Sequence, residues 1–235
     1  MSQQHNFTRT LAAVAVCGLI GCAGNPYVRN AENNLVVTLG DSIFDLSTEI
    51  QRELEARAGE SFRDYTLSGA KLTGGVVSAP VTTQYADAKR DGDIQTIVMN
   101  GGGNDILLPA MVFDPNRCKT SWYRPELSDR CKALVDDIYV EVVDLLNQMD
   151  TDGVRDIIYL GYYYTTGNLT NLHAAVDYGD DRLAEACSNT RANCTFLDPR
   201  EVIEESDVLS DNIHPTSSGS QKLASMIWPE LAPVL

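Results

Sequence analysis

Leu35-Val36-Val37-Thr38-Leu39-Gly40-Asp41-Ser42-Ile43 is the stretch on which the fold turns. From Leu35 to Leu39 the residues are apolar or β-branched, carry no charge and stop at a glycine. A half-buried strand alternates polar with apolar side chains, whereas an unbroken apolar run suits a strand covered on both faces. Beyond Gly40 the period changes. Ile43, Leu46, Ile50 and Leu54 recur at spacings of three and four, which predicts a helix over Ile43–Ala58. A covered strand turning directly into a helix is the opening unit of an α/β domain.

The alternation continues along the chain. Phe62–Leu67 reads as a weaker strand, ended by Ser68-Gly69, and Thr82–Arg90 as a helix. Ile94–Met99 is a second apolar strand, followed by Asn100-Gly101-Gly102-Gly103. Asp129–Met149 is the longest helical pattern, with Leu134, Ile138, Val142, Leu145 and Leu146 on one stripe. Val154–Leu160 reads as a strand, Asn171–Ala186 as a helix and Thr195–Leu197 as a short strand. Pro215–Leu231 reads as the last helix, with Pro215 in its first turn. Five strands alternating with helices imply right-handed crossovers and a parallel sheet between two helical layers. Functional groups in such sheets collect at the carboxyl ends of the strands.

Composition narrows the classes. The 235 residues are 43% hydrophobic and 22% charged, ordinary for a globular chain, so disorder is a poor reading. The 33 acidic and 18 basic residues give a net charge of −15, which disfavours nucleic acid as a partner. The acidic excess reads as a solvated, solubilising surface. No apolar run reaches the roughly 18 residues of a membrane span.

The beginning of the chain reads as an address. A polar segment with one cation, Arg9, precedes the apolar run Leu11–Ile20, too short to span and suited to the core of a signal peptide. Leu19-Ile20-Gly21-Cys22 resembles a bacterial lipobox, in which the cysteine is lipidated and becomes the new N-terminus. The expected organisation is therefore a signal peptide over 1–21, a tether over 22–33 and one domain over 34–235. Ala23 resembles the pattern sorted to the outer membrane, implying a periplasmic lipoprotein held through its lipid. Cleavage near Gly24, giving a free secreted protein, is the alternative. Removal of the leader takes away Arg9 alone among the charges and leaves −16. Export also fits the cysteines. Cys118, Cys131, Cys187 and Cys194 remain beyond the leader, an even number for an oxidising compartment. Cys118–Cys131 and Cys187–Cys194 is the pairing expected, because each closes a short polar loop. With no C-x-x-C spacing, and with His173 and His214 alone outside the leader, no metal site is expected.

Three segments stand at strand ends: Gly40-Asp41-Ser42-Ile43, Gly102-Gly103-Asn104-Asp105 and Asp211-Asn212-Ile213-His214. Ester hydrolysis needs a hydroxyl made nucleophilic by a base, a carboxylate to orient that base, and donors for the oxyanion. Ser42 sits at a strand-to-helix turn, where its own N–H favours negative charge. His214 can serve as base, with Asp211 three residues earlier to orient it. Asn104 offers a side-chain amide, and Gly69 an unobstructed N–H.

These segments resemble blocks I, III and V of the SGNH/GDSL hydrolase family, and Leu67-Ser68-Gly69-Ala70 resembles block II. Ile43 replaces the commoner leucine, and Ala70-Lys71 replaces the polar residues that often follow the block II glycine; Gly74 and Gly75 stand nearby as rivals. The resemblance implies a flavodoxin-like α/β/α sandwich with a five-stranded parallel sheet. It implies Ser42 as nucleophile, Ser42 N–H, Gly69 and Asn104 as the oxyanion hole, His214 as base and Asp211 as its orienting partner. It implies a small-molecule or lipid ester as substrate and no cofactor. The same residues would also serve a thioesterase, a carbohydrate O-acetyl esterase or an acyltransferase. A lipid-anchored binding module on the same fold is the reading of another class.

Plainer roles are open to several of these residues. Asp41 reads equally as a helix N-cap and Asp105 as the cap of the next helix. Asp207 is a rival to Asp211, and His173 reads as a packing or surface residue. Trp122, Tyr123 and Tyr162-Tyr163-Tyr164 are candidates to line a substrate pocket or simply to pack the domain. No G-x-S-x-G, H-E-x-x-H or P-loop signature occurs.

Overall fold

The computed structural model describes residues 27–235; the leader expected over 1–21 and the lipidation candidate Cys22 lie outside the described residues. Five strands form the sheet: β1 (Asn33–Leu39), β2 (Phe62–Asp64), β3 (Thr96–Met99), β4 (Asp156–Leu160) and β5 (Cys194–Leu197). All neighbours are parallel, in the order β2-β1-β3-β4-β5. The chain reverses its direction of winding between β1 and β3, the flavodoxin-like switch point. There Val37 pairs with Ile97 and Leu39 with Met99.

The helices are α1 (Ser42–Asp45), α2 (Glu49–Ala58), α3 (Val81–Asp91), α4 (Gly103–Val112), α5 (Asp129–Thr151), α6 (His173–Asn189) and α7 (Ser217–Leu231). The period-two geometry of the strands divides the core. Val37, Leu39, Ile97, Met99, Ile157 and Tyr159 face one way and pack with buried residues of α3, α5 and α6. Val36, Val98, Ile158 and Leu160 face the other way and pack with α2 and α7. Burial on both faces is why these strands read as unbroken apolar runs. The two expected disulfides, Cys118–Cys131 and Cys187–Cys194, are formed. The first ties the loop after α4 to the first turn of α5, and the second ties the end of α6 to β5. A loop of this size gains ~3 kcal/mol from closure.

The structure departs from the sequence reading in several places: α4 is not among the expected elements, and β2 and β4 are shorter than read. The helix expected over Ile43–Ala58 is two helices, because Thr48 takes a left-handed conformation at φ 55° between them. Ser47 and Thr48 favour such local turns, and the Ser47 hydroxyl accepts the Glu49 N–H. Pro215 does not enter α7; Thr216 is the N-cap, its side chain accepting the Gly219 N–H. Instead Pro215 bridges Val208 and steadies the loop before the helix. From Tyr27 on, the segment read as a tether lies on the domain: Val28 bridges Asp64, and Asn33 already belongs to β1. Finally, Asp105 is not the cap of α4. Gly102 holds that position at φ 96°, and Asp105 accepts the Leu72 N–H at 2.8 Å instead.

Candidate active site

The turn after β1 is built by its neighbours. Gly40 has φ 150°, and a Cβ there would lie 2.0 Å from Asn100 Oδ1, so no side chain fits. The fully buried Gln84 clamps Gly40 on both sides, accepting its N–H at 2.8 Å and donating to its carbonyl at 2.9 Å. The equally buried Asn100 accepts the Asp41 N–H and donates to Asp41 Oδ1, both at 2.9 Å. Asp41 caps α1 by accepting the Ile43 N–H at 3.0 Å, and its second oxygen accepts the Tyr162 hydroxyl at 2.8 Å. Burial pushes the Asp41 carboxyl above its ordinary value, against the pull of these donors. With every bond directed into the fold, Asp41 is the N-cap that the plainer reading expected, and the next residue, Ser42, is left half-buried at the helix start.

His214 reaches Ser42 from the other side of the sheet end. Its Nε2 lies 2.9 Å from Ser42 Oγ and its Nδ1 lies 2.7 Å from Asp211 Oδ2. The other Asp211 oxygen accepts the N–H groups of Ile213 and His214 at 2.9 and 3.0 Å, which fixes the carboxylate within its own loop. Burial raises the Asp211 carboxyl, but these N–H groups and the imidazole outweigh it, leaving the group below its ordinary value. The loop is held by the Leu209 N–H donating to the His214 carbonyl at 2.8 Å and by the Tyr163 hydroxyl donating to the Ile213 carbonyl at 2.7 Å. Asp207 is engaged elsewhere, with Lys222, Ser218 and the Glu204 N–H.

The chain after β2 stays on the β1 side. The Leu67 N–H donates to the Gly40 carbonyl at 3.0 Å, which carries Ser68-Gly69 alongside the turn. A tight turn closes from the Ala70 N–H to the Leu67 carbonyl, with Gly69 in its left-handed position at φ 77°. Asn104, in the first turn of α4, donates one amide hydrogen to the Ala70 carbonyl at 2.9 Å and keeps the other. Among the described residues, neither the Ser42 N–H nor the Gly69 N–H has an acceptor. The rivals Gly74 and Gly75 lie in an exposed stretch farther along.

Several residues of this site went unread in the sequence. Gln84 and Asn100 clamp the turn, and Asp45 holds Ser68. Of the three consecutive tyrosines, Tyr162 donates to the Asp41 carboxylate and Tyr163 to the Ile213 carbonyl, and both line a cavity, while Tyr164 packs on His173 and bonds Asp177. His173 bonds the Thr165 carbonyl and is a packing residue. Trp122 and Tyr123 neither line the cavity nor pack the domain: they are 91% and 74% exposed, edge to face with each other.

Doubly wound sheet, switch point and residues gathered at the strand ends define the α/β/α sandwich seen in SGNH hydrolase structures. The chain is similar to an SGNH hydrolase from Slackia heliotrinireducens at a TM-score of 0.58 and 12% identity, over 83% of this chain and 97% of that one. It is similar to TesA at 0.57 and 14%, over 85% and 99%. It is similar to Axe2, an acetylxylan esterase from Geobacillus stearothermophilus, at 0.56 and 15%, over 83% and 93%. At these identities the likeness is one of fold. No protein-family model and no curated protein matches the sequence.

Proposed function

We propose that the protein is a serine hydrolase of carboxylic esters. The observation that carries this reading is the hydrogen-bonded line from Ser42 Oγ through His214 to Asp211, together with the Ser42 and Gly69 N–H groups, which have no acceptor among the described residues. His214 Nε2 takes the Ser42 proton as Oγ attacks the ester carbonyl carbon. The oxyanion accepts from Ser42 N–H, Gly69 N–H and the second amide hydrogen of Asn104. The imidazolium returns its proton to the leaving alkoxide, and Asp211 stabilises the charge in between. Water, deprotonated by the same nitrogen, then releases the acid from Ser42. Every step uses groups of this chain, so no cofactor is invoked.

Hydrolysis of a p-nitrophenyl ester series, measured beside Ser42→Ala, tests this. Activity that disappears in the variant is the expected result; equal rates in the two proteins would sink the reading and bring forward a binding module. A carbohydrate O-acetyl ester is the second reading, on the likeness to an acetylxylan esterase.

The leader and the lipobox-like Leu19-Ile20-Gly21-Cys22 support export and anchoring through Cys22, and the two disulfides suit an oxidising compartment. Cys22→Ser should move the protein from the membrane pellet to the soluble fraction; no change in fractionation would refute the anchor.

A further inference from the structure

A cavity of about 90 Å³ opens beside the site, on the face of the sheet covered by α5 and α6. Its lining includes Asp41, Ile43 and Ile213, the chain neighbours of Ser42 and His214, together with Asn104. The helices α4, α5 and α6 supply Ile106, Leu107, Ile138, Val176 and Leu183. Apart from the second amide hydrogen of Asn104, its polar side chains are turned to protein partners. The Tyr162 hydroxyl is held by Asp41, the Tyr163 hydroxyl by Ile213, the Thr165 hydroxyl by the Leu169 carbonyl, and Asp180 by the Tyr162 N–H. Arg182 is paired with Asp136 and Glu185. A sugar placed here would bury hydroxyls with no partners, whereas a hydrocarbon loses nothing.

One residue keeps the space open. On α6 the lining positions Ala175, Val176, Gly179 and Leu183 fall at helical spacing on one face. Gly179 is in mid-helix, where glycine is less favourable than alanine. A Cβ added there would meet only Ile106 Cδ1, at 4.0 Å, so neither close packing nor an unusual backbone angle calls for glycine. Its effect is to leave room opposite Ile106.

Resting on the hydrolase reading above, we propose that this cavity receives the acyl chain, and that the substrates are esters of short straight acyl groups, butanoyl to hexanoyl, in preference to acetyl. Each methylene buried raises kcat/KM about fourfold until the cavity is full. Gly179→Leu fills the space from α6, and Val176→Phe fills it from the adjacent turn should the first variant fail to fold.

The experiment measures kcat/KM for p-nitrophenyl acetate, butyrate, hexanoate, octanoate and decanoate with the intact protein and both variants. Alongside, hexanoate binding to Ser42→Ala and to Ser42→Ala/Gly179→Leu is followed by calorimetry. The expected result is a rise from acetate to hexanoate that goes no further, a hexanoate-to-acetate ratio lowered roughly tenfold or more by either plug, and hexanoate binding that the second substitution removes. Acetate as the best substrate, with a ratio indifferent to both plugs, would overturn the cavity assignment and leave the hydrolase reading standing. Hexanoate bound through Gly179 by a protein that hydrolyses no ester would do the reverse.

Discussion

Asp45 Oδ2 accepts two bonds from Ser68, one from its backbone N–H at 2.7 Å and one from its hydroxyl. Asp45 closes α1, the helix that begins with Ser42, and Ser68 immediately precedes Gly69. The pair therefore sets the spacing between the Ser42 and Gly69 N–H groups that we propose receive an oxyanion. Asp45→Ala should lower kcat by about 10–100-fold, less than the 10²–10³ of losing an oxyanion donor outright, with KM little changed. Leaving the Ser68 N–H without an acceptor should also cost about 1–3 kcal/mol of stability. Steady-state kinetics beside a urea melt checks both; a stability loss with kcat unaltered would remove Asp45 from the alignment of the site.

Asp211 offers a cleaner separation of chemistry from folding. Its Oδ1 accepts two backbone N–H groups and its Oδ2 faces His214 Nδ1. In Asp211→Asn the amide oxygen can keep the backbone bonds while the NH₂ turns to the ring. That donor forces the proton from Nδ1 onto Nε2, where it faces Ser42 and cannot accept. We expect kcat to fall about 10³–10⁴-fold with the melting curve nearly unchanged. Because its donors hold the Asp211 carboxyl below its ordinary value, the wild-type group stays ionised to more acid pH than a free aspartate. An acid limb of activity near neutral pH would therefore not come from this orienting carboxylate. A variant retaining more than a tenth of wild-type kcat would contradict this tautomer argument.

How much of this was visible in the sequence follows from the range of each interaction. Strand runs such as Leu35–Leu39 declare themselves locally, because burial on both faces removes polar residues from consecutive positions. The carboxyl-end segments could be found from the same strands, and Asp211 and His214 share one loop. Gln84 and Asn100 carry no such mark. Each acts on a turn 44 or 59 residues away, and a lone buried amide has no spacing to betray it. The break at Thr48 was hidden because the apolar spacing of Ile43, Leu46, Ile50 and Leu54 runs through it undisturbed. Trp122 and Tyr123 misled for the opposite reason: residue type argued for burial, and the disulfide-closed loop holds them in solvent.

Asp105 links α4 to the segment after Gly69 through the Leu72 N–H, and burial raises its carboxyl to about 6. The folded state thus holds a proton that the unfolded chain releases near its ordinary value, about 3.9. Between those two values the folded protein binds more protons than the unfolded one, so stability falls as pH rises. The contribution is fully present below the lower value and lost above the upper one, about 3 kcal/mol for a shift of this size. Asp105→Asn cannot ionise, yet its amide oxygen can still accept the Leu72 N–H. The variant should match the wild type near pH 4 and exceed it in unfolding free energy near pH 7. Asp64, which burial also raises to about 6, titrates in both proteins and cancels from the comparison. Urea denaturation at the two pH values measures the difference. An equal gap at both would mean that Asp105 ionises freely in the folded state, and the link between α4 and Leu72 would then be an ordinary surface bond.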